Sequence, residues 1–147
     1  MPNLTPNFTL EELVASDTAA RLGIDNTPTS QVLAELKHTA ALLEQIRTLL
    51  GGLPVRVSSG YRCLALNRAL RSADSSAHVL GQAADFVVPG FGSPLAVCRA
   101  LAQHQATLQF DQLIHEFGSW VHIGRRTQSP RGDLLTINSS GTYSGLF

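Results

Sequence analysis

The stretch Gln112-Leu113-Ile114-His115-Glu116-Phe117-Gly118-Ser119-Trp120-Val121-His122-Ile123-Gly124 reads as two strands joined by a tight turn. Side chains alternate along a strand, so Val121 and Ile123 point to one face and His122 to the other. The length of the turn decides which residues of the first arm share the face of His122. A two-residue Gly118-Ser119 turn brings His115 there, whereas a three-residue Phe117-Gly118-Ser119 loop brings Glu116 and Trp120. We adopt the three-residue loop.

Working outward, Ala83-Ala84-Asp85-Phe86-Val87-Val88 reads as another strand, entered from the loop Ser76-Ala77-His78-Val79-Leu80-Gly81-Gln82. Pro54 to Ser58 alternates as a half-buried strand, and Ser59-Gly60-Tyr61 breaks it before Arg62 and a helical run to about Leu70. The strongest helix begins near Ser30, with Val32, Leu36, Thr39 or Ala40, Leu43, Ile46 and Leu50 recurring at close to the helical period, and stops at Gly51-Gly52. Thr9 and Glu12 form a capping box at the head of a short N-terminal helix, and Ser93-Pro94 starts one ending near Gln105. A last strand is expected from Asp133 to Ile137, followed by a polar turn before Tyr143. Arg131-Gly132-Asp133 reads as turn chemistry. With no repeat or linker, residues 1–147 are expected to form a single α+β domain: a small antiparallel sheet packed with N-terminal and central helices.

Eleven basic and eleven acidic side chains balance, so nucleic acid is not an expected partner. No run of apolar residues suits membrane insertion, and Met1 to Pro6 has no basic segment followed by an apolar one. The chain is therefore expected to be made in the cytoplasm without a signal peptide, as a monomer. Cys63 and Cys98 stand outside any C-x-x-C pattern and read as free thiols.

His78 and Asp85 are seven residues apart, which is not the spacing of two ligands on one helix, so they must come from a loop and the strand it enters. Gly81, Ala83 and Ala84 keep that path tight. With His122 they offer two imidazoles and a carboxylate to one divalent ion. Three protein ligands leave a fourth position open, as a catalytic zinc site requires.

These residues also carry a resemblance. The segment from Ser76 to Asp85 resembles the S-x-H-x6-D signature of the zinc D-Ala-D-Ala peptidases of the M15 type, and Trp120-Val121-His122 is similar to their W-x-H element. Ser58-Ser59-Gly60-Tyr61-Arg62 resembles their S-G-Y-R element, with Asn67 in its usual place after it. Phe8-Thr9-Leu10-Glu11-Glu12 and Asn26-Thr27-Pro28 look like the compact branch common in bacteriophages and prophages.

The resemblance implies a zinc peptidase acting on peptidoglycan stem peptides, with Zn2+ held by His78, Asp85 and His122. Such an enzyme would reach the wall after release from the cell or as part of a phage particle. Zinc would acidify a water and polarise the scissile carbonyl, and a general base must take that water's proton. Glu116 is the candidate base. Many members place the acid three residues before the last histidine, where this chain has Ser119. The related zinc site of Hedgehog signalling domains has its glutamate six residues before, as Glu116 is here. Arg62 matches the family's substrate arginine, able to bind a carboxylate or steady a developing oxyanion. Standing alone it would read as a salt-bridge partner.

Ser76, Gln82 and Trp120 are candidate substrate-binding residues, each with a plain loop or core reading beside it. His38 and His104 read as surface histidines, and Arg125 and Arg126 as glycan contacts or solvated charges. A second class stays open: a cell-wall or protein binding module that keeps the zinc site without turnover.

Overall fold

A computed structural model describes residues 2–147. The chain is α+β, with a six-stranded mixed sheet and a separate N-terminal hairpin. That hairpin pairs β1 (Asn3–Thr5) with β2 (Phe8–Thr9), and α1 (Leu10–Val14) follows at once. The Thr9 hydroxyl accepts from the Glu12 N–H at 3.2 Å, and the Glu12 carboxylate accepts from the Thr9 N–H at 2.8 Å, as the capping box requires. Ser16 starts a separate helix, α2 (Asp17–Leu22), by accepting from the Ala19 N–H at 3.1 Å.

Helix α3 (Ser30–Leu49) follows the expected period and buries Leu36, Thr39, Ala40, Leu42, Leu43 and Ile46. They join Phe86, Val121, Ile123 and Leu113 from one face of the sheet, together with Val97 and Leu101, in the hydrophobic core. Leu43 is fully buried, and trimming it to Ala would cost about 2–5 kcal/mol. Val97 and Leu101 belong to α5 (Pro94–Ala102), which ends before the expected Gln105 and gives way to a turn and the short α6 (Gln105–Leu108).

The sheet runs β3 (Arg56–Ser59), β4 (Ala83–Val87), β6 (Trp120–Gly124), β5 (Gln112–Glu116), β7 (Asp133–Asn138) and β8 (Gly141–Ser144). Helix α4 (Leu64–Ala69) and a 3-10 turn at Ala77–Leu80 fill the connection from β3 to β4. The sheet is mixed, not wholly antiparallel, because β5 and β7 run parallel. Strand β4 already occupies the far edge of β6, and β7 joins at the free edge of β5. Its connection crosses the end of β5 where β6 stops, which sets β7 off in the direction of β5.

Asp111 fastens that crossing. Its carboxylate accepts from the Arg131 backbone N–H at 2.9 Å and from the guanidinium at 3.0 and 2.7 Å. Its backbone N–H donates to Gly124 and its carbonyl accepts from Asp133. The polar turn after Asn138 closes the β7–β8 hairpin, with Asn138 opposite Gly141. No helix among the described residues is long and apolar enough to cross a membrane. Cys63 and Cys98 are free, and burial pushes the Cys98 thiol up to about 12.

Candidate metal centre

The β5–β6 hairpin has a three-residue loop, with Glu116 directly opposite Trp120 and Ile114 opposite His122. Phe117 (φ 54°) and Gly118 (φ 64°) both take the left-handed conformation, and the Ser119 N–H closes the turn on the Glu116 carbonyl at 2.9 Å. Glu116, Trp120 and His122 therefore lie on one face. His115 lies on the other, where its Nδ1 is bonded to the Phe147 carbonyl at 2.9 Å, so it does not enter the site.

Across β6, Asp85 of β4 is the direct partner of His122. Its Oδ1 lies 2.9 Å from His122 Nδ1 and 3.3 Å from His78 Nε2. His78 comes from the 3-10 turn and is positioned by the loop after β3. A carbonyl can only accept, so the 2.6 Å contact between His78 Nδ1 and the Gly60 carbonyl requires the proton on Nδ1. Nε2 is then left with its lone pair facing Asp85.

Gly60 is required at that point because a Cβ would overlap the Leu13 carbonyl oxygen, against which the loop is pressed. The Tyr61 N–H donates to that same carbonyl at 2.8 Å, and the Arg62 N–H donates to the His78 carbonyl at 3.1 Å.

His78, Asp85 and His122 are all buried, and each offers a ligand atom within 4.8 Å of the others. With metal bonds of about 2.0–2.1 Å, the edge of a zinc tetrahedron is about 3.3 Å. The 3.3 and 2.9 Å separations fit that edge, so the donor set suits a small divalent ion with open coordination. Burial holds the His78 imidazole below its ordinary pKa, against the pull of Asp85, and so favours the neutral, ligating form. Burial works to raise the Asp85 carboxyl, but the His122 imidazole bonded to its Oδ1, with the His78 ring beside it, prevails and holds it well below the usual carboxylate range.

Glu116 stands beside this cluster, its Oε1 3.7 Å from His122 Nδ1. Burial raises its pKa, and the Asp85 charge adds to the effect. A carboxylate biased toward holding a proton, next to a metal cluster, can exchange that proton with a bound reactant. The Trp120 indole N–H is buried on the same face beside the Glu116 carboxylate, without a full hydrogen bond.

Arg62 donates to the Ser59 hydroxyl at 3.1 Å and to Asp85 Oδ2 at 3.4 Å. It also lines a cleft of about 360 Å3 that reaches Asp85 and Trp120. Both readings of this arginine therefore meet in one place: a salt bridge and a charge open to the cleft. A second cleft, of about 630 Å3, opens on the His122 side and is lined by Ser76 and Gln82. The Ser76 hydroxyl accepts from the His78 N–H at 3.3 Å, and the Gln82 amide donates to Glu35 at 3.2 Å. Both side chains thus have structural partners.

Arg125 is neither solvated nor poised for a glycan, because its guanidinium is bonded to Glu35 at 3.0 Å and Thr39 at 3.2 Å. The Thr39 hydroxyl in turn donates to the Gly81 carbonyl at 2.7 Å. This network ties α3 to the end of the loop that carries His78. Asn26 does the same from the other side: its amide donates to the carbonyls of Val14 and Tyr61 and accepts from the Cys63 N–H at 2.8 Å. Asn67 is buried and donates to Ala73 at 2.8 Å, pinning the start of the same loop. Asn26 is legible in the sequence as part of a turn and by resemblance, and Asn67 by resemblance alone, whereas Glu35 and Thr39 carry no local signal of such a role.

Two imidazoles and a carboxylate gathered for one ion, with a further carboxylate left free beside them, define the class as a metal-dependent hydrolase. The family model described as Peptidase M15 matches residues 6–124, and the chain belongs to that family of metallopeptidases. A search of the curated proteins found no match. The matched stretch contains the whole cluster, Arg62 and Glu116, and stops at the end of β6.

Proposed function

We propose that this protein is a zinc-dependent peptidase that hydrolyses peptide bonds in peptidoglycan stem peptides or their cross-links, and that residues 1–147 work as one catalytic domain. The observation that carries this reading is the placement of Glu116, on the His122 face of the hairpin and 3.7 Å from a candidate ligand atom. His78 Nε2, Asp85 and His122 Nδ1 would hold the ion. When bound, zinc supplies an acidified water and a Lewis acid for the scissile carbonyl.

The chain's own residues would do the rest. Glu116 accepts the proton of the attacking water on its carboxylate and delivers it to the nitrogen of the departing amine. Its buried setting makes the protonated form accessible between those two steps. The Arg62 guanidinium holds Asp85 in place and presents positive charge to the cleft, where it can orient a substrate carboxylate or steady the carbonyl oxygen as negative charge develops. The Trp120 N–H, beside Glu116, is a second donor on that side. Gly60, through its carbonyl, fixes the ring of His78 and the nitrogen it presents.

Purified peptidoglycan incubated with the zinc-loaded protein should release new amino groups, and mass analysis of digested muropeptides identifies the bond. A stem peptide shortened by one terminal D-Ala marks a carboxypeptidase, and a split cross-link or internal bond marks an endopeptidase. No release from any wall substrate by protein carrying stoichiometric zinc would rule the reading out and leave a zinc-holding binding module.

A further inference from the structure

The larger cleft, on the His122 side, is a groove with graded chemistry. Its floor is the site face of the sheet, where Ile114, His122 and Ile137 come from three adjacent strands. Ser72 and Ser75 stand along the wall formed by the loop before His78. The far end is lined by charged side chains. Arg125 lines it too, but its charge is taken up by Glu35. Asp111 is shared by Arg131, at 2.7 Å, and Arg126, at 4.0 Å.

Arg131 gives that carboxylate three hydrogen bonds and also lies 3.8 Å from the carboxylate of Asp133. Arg126 is left with no hydrogen-bond partner among the described residues, and its side chain is 52% exposed. Asp111 and Asp133 together balance the two guanidiniums, but the hydrogen-bonding fork of Arg126 stays open at the end of a groove that begins at the metal cluster. Arg126 is four residues beyond His122, so their Cα atoms lie within about 14 Å of each other. That reach is about the span of a few extended peptide residues.

We propose that an extended peptide with small side chains lies in this groove, and that Arg126 binds a free carboxylate on it. The inference rests on the peptidase reading above and names a specificity residue for it. Arg126 lies beyond the stretch shared with the family model, so the subsite belongs to this chain's own segment after β6. The apolar floor suits the methyl groups of alanines, and the serine wall supplies hydroxyls for a peptide backbone. An arginine at the groove end discriminates a carboxylate from its amide, because an amide forfeits the charge-assisted hydrogen bond.

The test uses full-length zinc-loaded protein and a synthetic pentapeptide, L-Ala-γ-D-Glu-L-Lys-D-Ala-D-Ala. Three forms are compared: both carboxylates free, the glutamate α-carboxylate amidated, and the terminal carboxylate amidated. Binding is read from the fluorescence of Trp120, the sole tryptophan, in a Glu116→Gln background that prevents turnover. One of the two amides should bind about tenfold more weakly than the free acid, and which one identifies the recognised carboxylate. Arg126→Gln should abolish that difference and Arg126→Lys should restore part of it. Arg99→Gln, an exposed charge change on α5 across the core, should keep it in full.

An acid-to-amide ratio unchanged by Arg126→Gln, or lost equally in Arg99→Gln, overturns the proposal. Hydrolysis by the otherwise wild-type chain is measured in parallel, with the Arg126→Gln effect expected in KM. A protein that binds with this pattern yet never hydrolyses keeps the subsite and loses the peptidase reading; one that hydrolyses without the pattern does the reverse.

Discussion

Glu116 Oε1 lies 3.7 Å from His122 Nδ1, and the two residues share a face because the loop between their strands contains three residues. A loop one residue shorter would turn Glu116 away, since each residue of register moves a side chain to the opposite face of a strand. The acid of this site is therefore positioned by turn geometry.

Replacing Glu116 with Gln keeps its shape and removes the proton acceptor. Hydrolysis should fall by about 100-fold to 10,000-fold while zinc content stays at the wild-type level. Assays of amino-group release alongside metal analysis check both halves. Loss of zinc with activity would show that Glu116 acts as a ligand, not as a base.

Zinc binding should stabilise the fold, because the three donor residues come from segments that separate on unfolding. At zinc concentrations a thousandfold above Kd the gain is about 4 kcal/mol, which for a chain of this size is a Tm rise on the order of 10 °C. Scanning calorimetry with and without chelator measures it. His122→Ala should remove most of the rise, and a wild-type Tm indifferent to zinc would contradict the assigned metal centre.

Gly60→Ala should damage the metal site from a distance. The added methyl overlaps the Leu13 carbonyl oxygen, so the loop must move and the Gly60 carbonyl must withdraw from His78. We expect a destabilisation of about 1–3 kcal/mol and a tenfold or greater loss of zinc affinity. Denaturant unfolding and competition with a chromogenic chelator report the two effects separately. Unchanged zinc affinity would mean that the carbonyl does not set the ring.

Asp111 should make the crossover to β7 sensitive to acid. Hydrogen bonds from Arg131 hold its carboxyl below the ordinary range, outweighing the effect of burial. A depressed folded-state pKa contributes stability that is present above the unfolded value of about 3.9 and is lost as pH falls through the folded one. Wild type should therefore exceed Asp111→Asn by about 1–3 kcal/mol at neutral pH, with the gap closing only below about pH 4. Urea titrations across pH 2 to 7 would reveal it, and a constant gap would show that the charge plays no part.

Much of this architecture could be read along the chain. Helix α3 announces itself through twenty residues of sustained period, and Thr9 and Glu12 through a local exchange of hydrogen bonds. The two strands of the hairpin followed from alternation. The direction of β7 did not follow, because it depends on which sheet edge remains free after β4 has taken its place. The short strands β1, β2 and β8 do not show in the sequence: β1 and β2 are too short to carry an alternating pattern, and β8 is an edge strand with every residue exposed. Gly60 could be seen as part of a motif, but its packing against Leu13 joins segments far apart in sequence.

Local chemistry in the sequence was enough to specify the α+β class, the two strands of the hairpin, and the donor types at His78, Asp85 and His122, whereas the loop length that turns Glu116 toward His122 is given by the structure. What the sequence specified depends on alternation and capping, which act over a few residues. The convergence of the three donors was decided by tertiary structure: the β4–β6 register puts Asp85 opposite His122, and the Gly60 contact selects the His78 nitrogen. So was the division of labour among arginines, with Arg125 committed to Glu35, Arg131 to Asp111 and Asp133, and Arg126 held only at 4.0 Å from Asp111. Charge pairing depends on distance in space, and the distances were set when α3, the sheet and the crossing loop packed together.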